Sequence, residues 1–393
     1  MDLTQVQISE IISKETQSES GFCSLMGIII NSLTYHERAD YVSAHPREQC
    51  NGFRPRRWYA GGYSLRLRIP RTRSGSFYPF ILSVISSEDE ERSRLFYELY
   101  TRGMTTEDIG TVCERLYGHH YSKQQVSHLS TRCREDVEAW LARDLSAHYP
   151  VVYIDATYVP TRREGSVSRE AYYTVLGVCD DGSREVLALV NHPTEGALCW
   201  EAELEGLKDR GVRGIDLVVS DALGGIENAV CSAFPSARHQ FCVAHFKRNA
   251  LAAVSSKDKP RMSRELEELF EMEDSSCTSA QGYEKLTTFA RRWGTRYPAL
   301  RRLEHERNAA YFTYLSYPPK YRRMIYTTNW IERLNRSYKR VLRMRNSMPS
   351  PQATLFLLGS VAFEMTKSTY ARRLALFAQW NVEIKKWNKK GED

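Results

Sequence analysis

The chain carries an aspartate in the middle of one of its most apolar stretches, and no other feature constrains the fold so tightly. Asp155 stands inside VVYIDATYV, residues 151–159, with apolar or β-branched neighbours on both sides. Such a run reads as a strand buried on both faces, where an unpaired charge is expensive. The acid therefore needs a partner or a task. IDLVVSDA, residues 215–222, ends on Asp221 in the same way, at the point where a strand delivers its last side chain to the rim of a sheet.

The surrounding pattern says which sheet. AYYTVLGVCD and EVLALVNH, joined through Asp180-Asp181-Gly182, predict two more strands and an antiparallel meander. A helix over Glu195 to Gly211, the Asp221 strand, a helix over Gly225 to Phe234 and a fifth strand at ARHQFCVAH follow. Strand-strand-strand-helix-strand-helix-strand is the order of a ribonuclease H-like core, an α/β fold on a mixed five-stranded sheet. In it the first and fourth strands are neighbours, so Asp155 and Asp221 are expected at one rim. Residues 250–320 are charged and helix-forming without strand signal, an α-helical insertion, and Pro318-Pro319 precedes the last helices.

Two carboxylates that close repel unless cations lie between them. A pair of Mg²⁺ ions roughly 3.5–4 Å apart is the known solution in phosphodiester chemistry, one activating the attacking oxygen and one stabilising the leaving oxygen. Hard oxygen donors select Mg²⁺ or Mn²⁺ over zinc. Glu332 is the candidate third ligand: it is the only acid between Arg307 and Glu364 and sits in TTNWIERLNR, on a helix that Thr328 or Asn329 would cap. The alternative is an accidental triple among 48 acids. His239, Cys242 and His245 form a second constellation; C-x-x-H is half a zinc site without a matching pair, and a buried strand end explains it as well. Neither G-x-x-x-x-G-K-[ST] nor a strand-linked G-x-G-x-x-G is present, so no nucleotide cofactor is expected.

Charge placement points to the partner. The net charge is only +7, but residues 54–73 hold Arg54, Arg56, Arg57, Arg66, Arg68, Arg71 and Arg73 without one acid. Residues 285–345 hold sixteen Lys or Arg against Glu304, Glu306 and Glu332. Such one-sided clusters suit a polyanion, whose neutralised phosphates release counterions; a solvated basic face is the plainer reading. Alternation over Tyr63, Leu65, Leu67 and Ile69 predicts a strand with arginines on its open face. A second strand around Phe80–Ile85 would complete a small basic β-hairpin, after one or two helices in residues 1–50. From Glu88 the pattern is helical. TRGMTTEDIGTVCERLYG followed by SKQQVSHLSTRCREDVEAWL reads as a helix-turn-helix, with Lys123, Gln124, Gln125, His128 and Arg132 able to reach base edges or phosphates. An ordinary helical hairpin is the competing reading.

Hydrophobic residues at 42% and charged residues at 26% suit a globular chain of two or three domains. The apolar run from Leu355 is roughly half a membrane span, so no membrane association is expected. Nine scattered cysteines without C-x-x-C argue for reduced thiols, and no signal segment opens the chain. A soluble intracellular protein, in a cytosolic compartment, is the expectation.

In order, YIDATYV, TVLGVCDDGSREVLALV, TEGA, LVVSDALGGI, FPSARHQFCVAHFKRN and TTNWIERLNR resemble the motifs of bacterial insertion-sequence transposases related to the plant Mutator element. YTRGMTTEDIGTVCERLYG and the helix after it look like that family's DNA-binding segment. The resemblance runs from about Tyr59 to Ser350. It implies a DDE transposase with Asp155, Asp221 and Glu332 as catalytic, metal-binding triad. Cys242 and His245 correspond to the family's C-x-x-H motif, and Asn329, Arg333 and Asn335 to the residues around the glutamate. Trp330 departs from it, standing where a smaller residue is expected.

The resulting organisation is N-terminal helices and hairpin over 1–87, the helix-turn-helix over 88–148, the first part of the core over 149–249, the insertion over 250–320, and the rest of the core with C-terminal helices over 321–393. The implied function is metal-dependent cleavage and strand transfer at terminal inverted repeats, through a circular intermediate, by a homodimer on DNA. Arg336, Lys339 and Arg340 would extend the phosphate-binding surface beside Glu332. Two rivals share these features: an inactive, domesticated transposase that only binds DNA, and a ribonuclease H-like nuclease or resolvase that cuts without joining.

Overall fold

A computed structural model describes residues 19–60, 63–117, 131–192, 197–272 and 277–390, with Ser13 and Val126. The chain divides into two compact units, Met1–Cys133 and Arg134–Asp393.

In the first unit, helix α1 (Glu19–Ala44) is followed by strands β1 (Cys50–Ala60) and β2 (Tyr63–Thr72) and helices α2 (Phe80–Thr101) and α3 (Thr106–Tyr117). Leu65 and Leu67 of β2 are buried with Ile30 of α1 and Leu82 of α2, while Arg66 and Arg68 between them are exposed. That is the anticipated alternation. The hairpin, however, pairs β2 with β1, in register from Phe53↔Pro70 to Ala60↔Tyr63, not with a strand at Phe80–Ile85. That segment is the first turns of α2, so the acids at 88–91 lie inside a helix rather than at its start. A short apolar run has no period that separates strand from helix. The boundary anticipated after residue 87 falls within α2. Thr105 caps α3, its hydroxyl accepting from Asp108 N–H (3.1 Å) while the Asp108 carboxylate accepts from Thr105 N–H (3.1 Å). Phe96, Ile109, Cys113 and Val126 close a second small core. Lys123, Gln124, Gln125 and His128 lie outside the described residues, as does the side chain of Arg132.

Helix α4 (Thr131–Leu141) leads into the second unit. Its sheet is formed by β3 (His148–Arg163), β4 (Ser166–Val178), β5 (Arg184–His192), β6 (Gly214–Ser220) and β7 (Arg238–Phe241), in the order β5-β4-β3-β6-β7. The first three strands form an antiparallel meander; β6 and β7 add in parallel on the other side of β3. The turn into β5 requires Gly182: φ is +83°, and a Cβ would collide with the Leu374 carbonyl oxygen.

Helices α5 (Ala197–Asp209) and α6 (Ile226–Ala233) connect the parallel strands. Trp200, Leu204, Leu207, Ile226 and Val230 pack with Val152, Ile154 and Val218 of the sheet in one buried cluster. After β7 the chain is helical: α7 (Val243–Ala252), α8 (Lys259–Leu269), α9 (Ser279–Gly294) and two 3-10 helices, Pro298–Glu304 and Glu306–Ser316. Then come α10 (Pro319–Ile325), α11 (Asn329–Leu342), α12 (Pro351–Met365) and α13 (Trp380–Lys390). Residues 250–320 thus contain helix and no strand among the described residues, as expected. Side chains alternate across a strand, so Tyr153, Asp155 and Thr157 of β3 share a face. The Tyr153 hydroxyl donates to the Met324 carbonyl (2.8 Å) and the Thr157 hydroxyl reaches Asn335 (2.6 Å), placing α11 over that face.

Candidate active site at the sheet rim

Asp155 sits on β3 one residue beyond the Ile154↔Ser220 pair, the last of the parallel β3–β6 register, and Asp221 directly follows Ser220. Two adjacent parallel strands therefore deliver their acids at the same end of the sheet. Asp221 is fixed by its own turn: Ala222 N–H donates to its Oδ1 (2.8 Å), and the Ser220 hydroxyl donates to its backbone carbonyl (2.8 Å).

Asp155 is 5% exposed. Its Oδ2 accepts a hydrogen bond from Asn335 Nδ2 (3.0 Å), and Asn335 Oδ1 accepts from the Thr157 hydroxyl (2.6 Å). Since Thr157 fills the carbonyl end of the amide, the NH₂ end is left pointing at the carboxylate. Oδ1 of Asp155 lies 4.0 Å from His245 Nε2. Burial pushes the Asp155 carboxyl up to about 6; the charges of Asp221 and Glu332 add to the rise, while His245 and the Ala156 N–H oppose it.

Glu332 arrives on α11, whose buried side is Ile331, Leu334, Asn335, Tyr338 and Val341. This spacing fixes one helix face against the sheet and leaves Glu332 half-buried in the first turn, 3.7 Å from Arg248 of α7. Thr328 holds the N-cap position without a side-chain cap bond; its hydroxyl lies 3.4 Å from Cys242 Sγ. Cys242 N–H donates to the Ser220 carbonyl (2.7 Å).

The cysteine of C-x-x-H thus joins the Asp221 strand to the start of the Glu332 helix, and His245, three residues on, faces Asp155. Hydrogen bonding with Cys242 lifts His245 to about 9 against its burial, with Asp155 and Asp221 adding to the rise. His239 is turned elsewhere, its Nε2 2.8 Å from the Ser220 hydroxyl. Among the described residues, no three His, Cys, Asp or Glu side chains are close enough to enclose a metal ion unaided. Asp155 and Asp221 share a rim, and the charges of Asp221 and Glu332 both reach Asp155; hard carboxylate oxygens of this kind suit a divalent cation that would offset the excess.

Arg333, Arg336, Lys339 and Arg340 lie exposed on the outer side of α11, and Asn329 is exposed at its start. Arg54, Arg56, Arg57, Arg66, Arg68 and Arg71 are exposed in the first unit. The Arg184 guanidinium, 4% exposed, stacks between Trp330 (4.6 Å) and Tyr370 (4.9 Å), so the bulky Trp330 seats α11 on a buried cation. Sequence reasoning missed Thr157, Arg248 and the bond from Asn335 to Asp155. The available signal was period: Thr157 is two residues after Asp155 on a strand, Asn335 three after Glu332 on a helix, and Arg248 three after His245.

A family described as "Transposase, Mutator family" matches residues 3–371. The transposase for insertion sequence element ISRM3 of Rhizobium meliloti is 32% identical over 352 residues, 89% of this chain and 87% of that protein. The transposase for insertion sequence element IS905 of Lactococcus lactis is 30% identical over 339 residues, 86% and 85% of the two chains. A Drosophila P element transposase strand transfer complex aligns with 76% of this chain and 86% of its own at a TM-score of 0.31 and 9% identity.

Proposed function

Because the chain belongs to the Mutator family of transposases, we propose that it cuts DNA at the terminal inverted repeats of its own insertion sequence to leave a 3′-hydroxyl, and passes that hydroxyl in-line to another phosphodiester. One observation carries this reading: adjacent parallel strands present Asp155 and Asp221 at one rim, and Glu332 is near enough to raise the Asp155 pKa. Asp155, Asp221 and Glu332 would hold a pair of divalent ions, Mg²⁺ or Mn²⁺, which when bound activate the attacking oxygen and stabilise the leaving one. Asn335 orients Asp155 by holding its Oδ2. Arg248 balances Glu332 until the rim is loaded.

The strand order, a meander on one side of β3 and parallel strands on the other, supports a ribonuclease H-like assignment of the core. The capped α3 supports a helix-turn-helix reader ahead of it. The exposed stripe of α11 and the arginines of the hairpin suit phosphates of the element ends and of target DNA. Two ends must be processed together, so the acting form is a homodimer on DNA, with a joined circle of the element as intermediate. The reaction belongs in the cytoplasm, at the nucleoid; no described helix is long and apolar enough to cross a membrane.

The test is a supercoiled plasmid carrying both element ends, incubated with and without Mg²⁺, beside a mobility-shift assay. Asp155→Asn and Glu332→Gln are expected to abolish cleavage while retaining end binding. Cleavage at the wild-type rate in either variant would overturn the triad. Binding without cleavage by the unaltered chain would mark an inactive DNA-binding relative, and cutting without joining of a pre-cut end would mark a nuclease or resolvase.

A further inference from the structure

Beside Asp221 lies a pocket that none of the acids lines. Ala222, whose N–H holds the Asp221 carboxylate, forms part of its wall. Phe246 of α7 and Arg302, Leu303, Arg307 and Tyr311 of the two 3-10 helices supply much of the rest, around a cavity of about 510 Å³. That size falls in the range of small-ligand sites, about 300–1,000 Å³. No aspartate or glutamate is among its lining residues, although an acidic rim is one residue away. Two arginines, Arg302 and Arg307, line it instead, so the lining favours an anion.

The side chains make the requirement narrower. The Arg302 guanidinium is exposed and forms no ion pair or hydrogen bond with any described residue. Arg307 is anchored, bonded to Glu227 (2.7 Å) and to the Leu223 carbonyl (3.2 Å). Tyr311 is 6% exposed, its ring set against Phe241 (5.2 Å) and Phe246 (4.7 Å), and its hydroxyl donates to no described residue. A fitting ligand therefore joins an anionic group, for Arg302, to a flat apolar body with hydrogen-bonding edges, for the wall and the phenol. A nucleotide has both parts.

We propose that this pocket receives one nucleotide of the DNA strand engaged at the rim, drawn out of the base stack, with its phosphate at Arg302 and its base against Phe246, Leu303 and Tyr311. A base held in a duplex reaches such a pocket only by leaving the stack, as enzymes that do chemistry on a base make it do. The proposal rests on the reading that this chain binds element ends, and it adds how the strand is gripped next to Asp221.

The experiment places 2-aminopurine, which brightens when unstacked, at each position flanking the cut in an end-bearing duplex, and adds protein without divalent ion. Fluorescence is expected to rise at one position. Leu303→Trp, which fills the pocket, and Arg302→Glu, an exposed change that spares the fold, are expected to suppress that rise, and to weaken end binding by about five- to a hundredfold if stacking there has its usual strength. A retarded complex with unchanged fluorescence at every position would overturn the pocket alone, as would a rise that both variants leave intact. Absence of any retarded complex would overturn the end-binding reading and the pocket with it.

Discussion

The rim acids and the hairpin arginines use charge in opposite ways. Asp155 is buried, held by one amide, and carries a pKa displaced by its surroundings. Arg66 and Arg68 are exposed on the strand that buries Leu65 and Leu67. A buried charge has one geometry and one task, so its loss is all-or-none. Exposed cations that meet a polyanion act as a sum, each neutralised phosphate releasing a counterion, so their loss is graded and depends on salt.

The contrast is most open to attack at Asp221. Asp221→Asn keeps the shape of the turn and removes the charge; cleavage of an end-bearing plasmid should disappear, and measurable turnover would break the comparison. Asn335→Ala is next. It leaves all three acids in place and frees Asp155 to turn; with Asp155 holding a metal as proposed, cleavage should fall by about 10–100-fold, the usual cost of losing a group that orients a metal ligand, with end affinity kept in a mobility shift. Arg66→Ala with Arg68→Ala should leave the chemistry of pre-bound DNA intact and weaken end binding, lowering the slope of log affinity against log salt by about 0.9 per lost contact. A salt slope equal to that of the unaltered chain would remove the hairpin from the DNA surface.

The smallest effect concerns a titrating group at the start of β3. Burial disfavours the charge on His148, but hydrogen bonds to Asp216 (3.1 Å) and Asp180 (2.9 Å), with their charges, raise its pKa overall. A raised folded value means that its stabilisation is full below the ordinary value of 6.5 and fades as the pH climbs through the folded value. Urea unfolding at about pH 6 and about pH 8 should therefore show a decline that His148→Gln lacks.

How far these features could be read from sequence follows the same division. Acids inside apolar runs announce themselves, because a buried strand tolerates a charge only for a reason; the placement of Asp155 and Asp221 at one end of neighbouring strands was legible on that ground, and the five strands from their apolar runs and turns. The place of Glu332 on a helix was legible from TTNWIERLNR, and its isolation among basic residues is what marked it out. The hairpin partner was not: β1 carries Gly52, Pro55 and three arginines, a composition that reads as loop, and its pairing comes from the neighbouring strand. The run at Phe80–Ile85 misled because its length suits either element. The amide bridge could not be read, since Asn335 and Asp155 are 180 residues apart and only the packing of α11 brings them together.

Glu332 and Asn335 stand one turn apart on a single rigid rod. Sliding or tilting that rod would withdraw an acid from the rim and unlatch another in one movement. Half-assembled arrangements, with two groups aimed and the last one absent, are thereby made scarce.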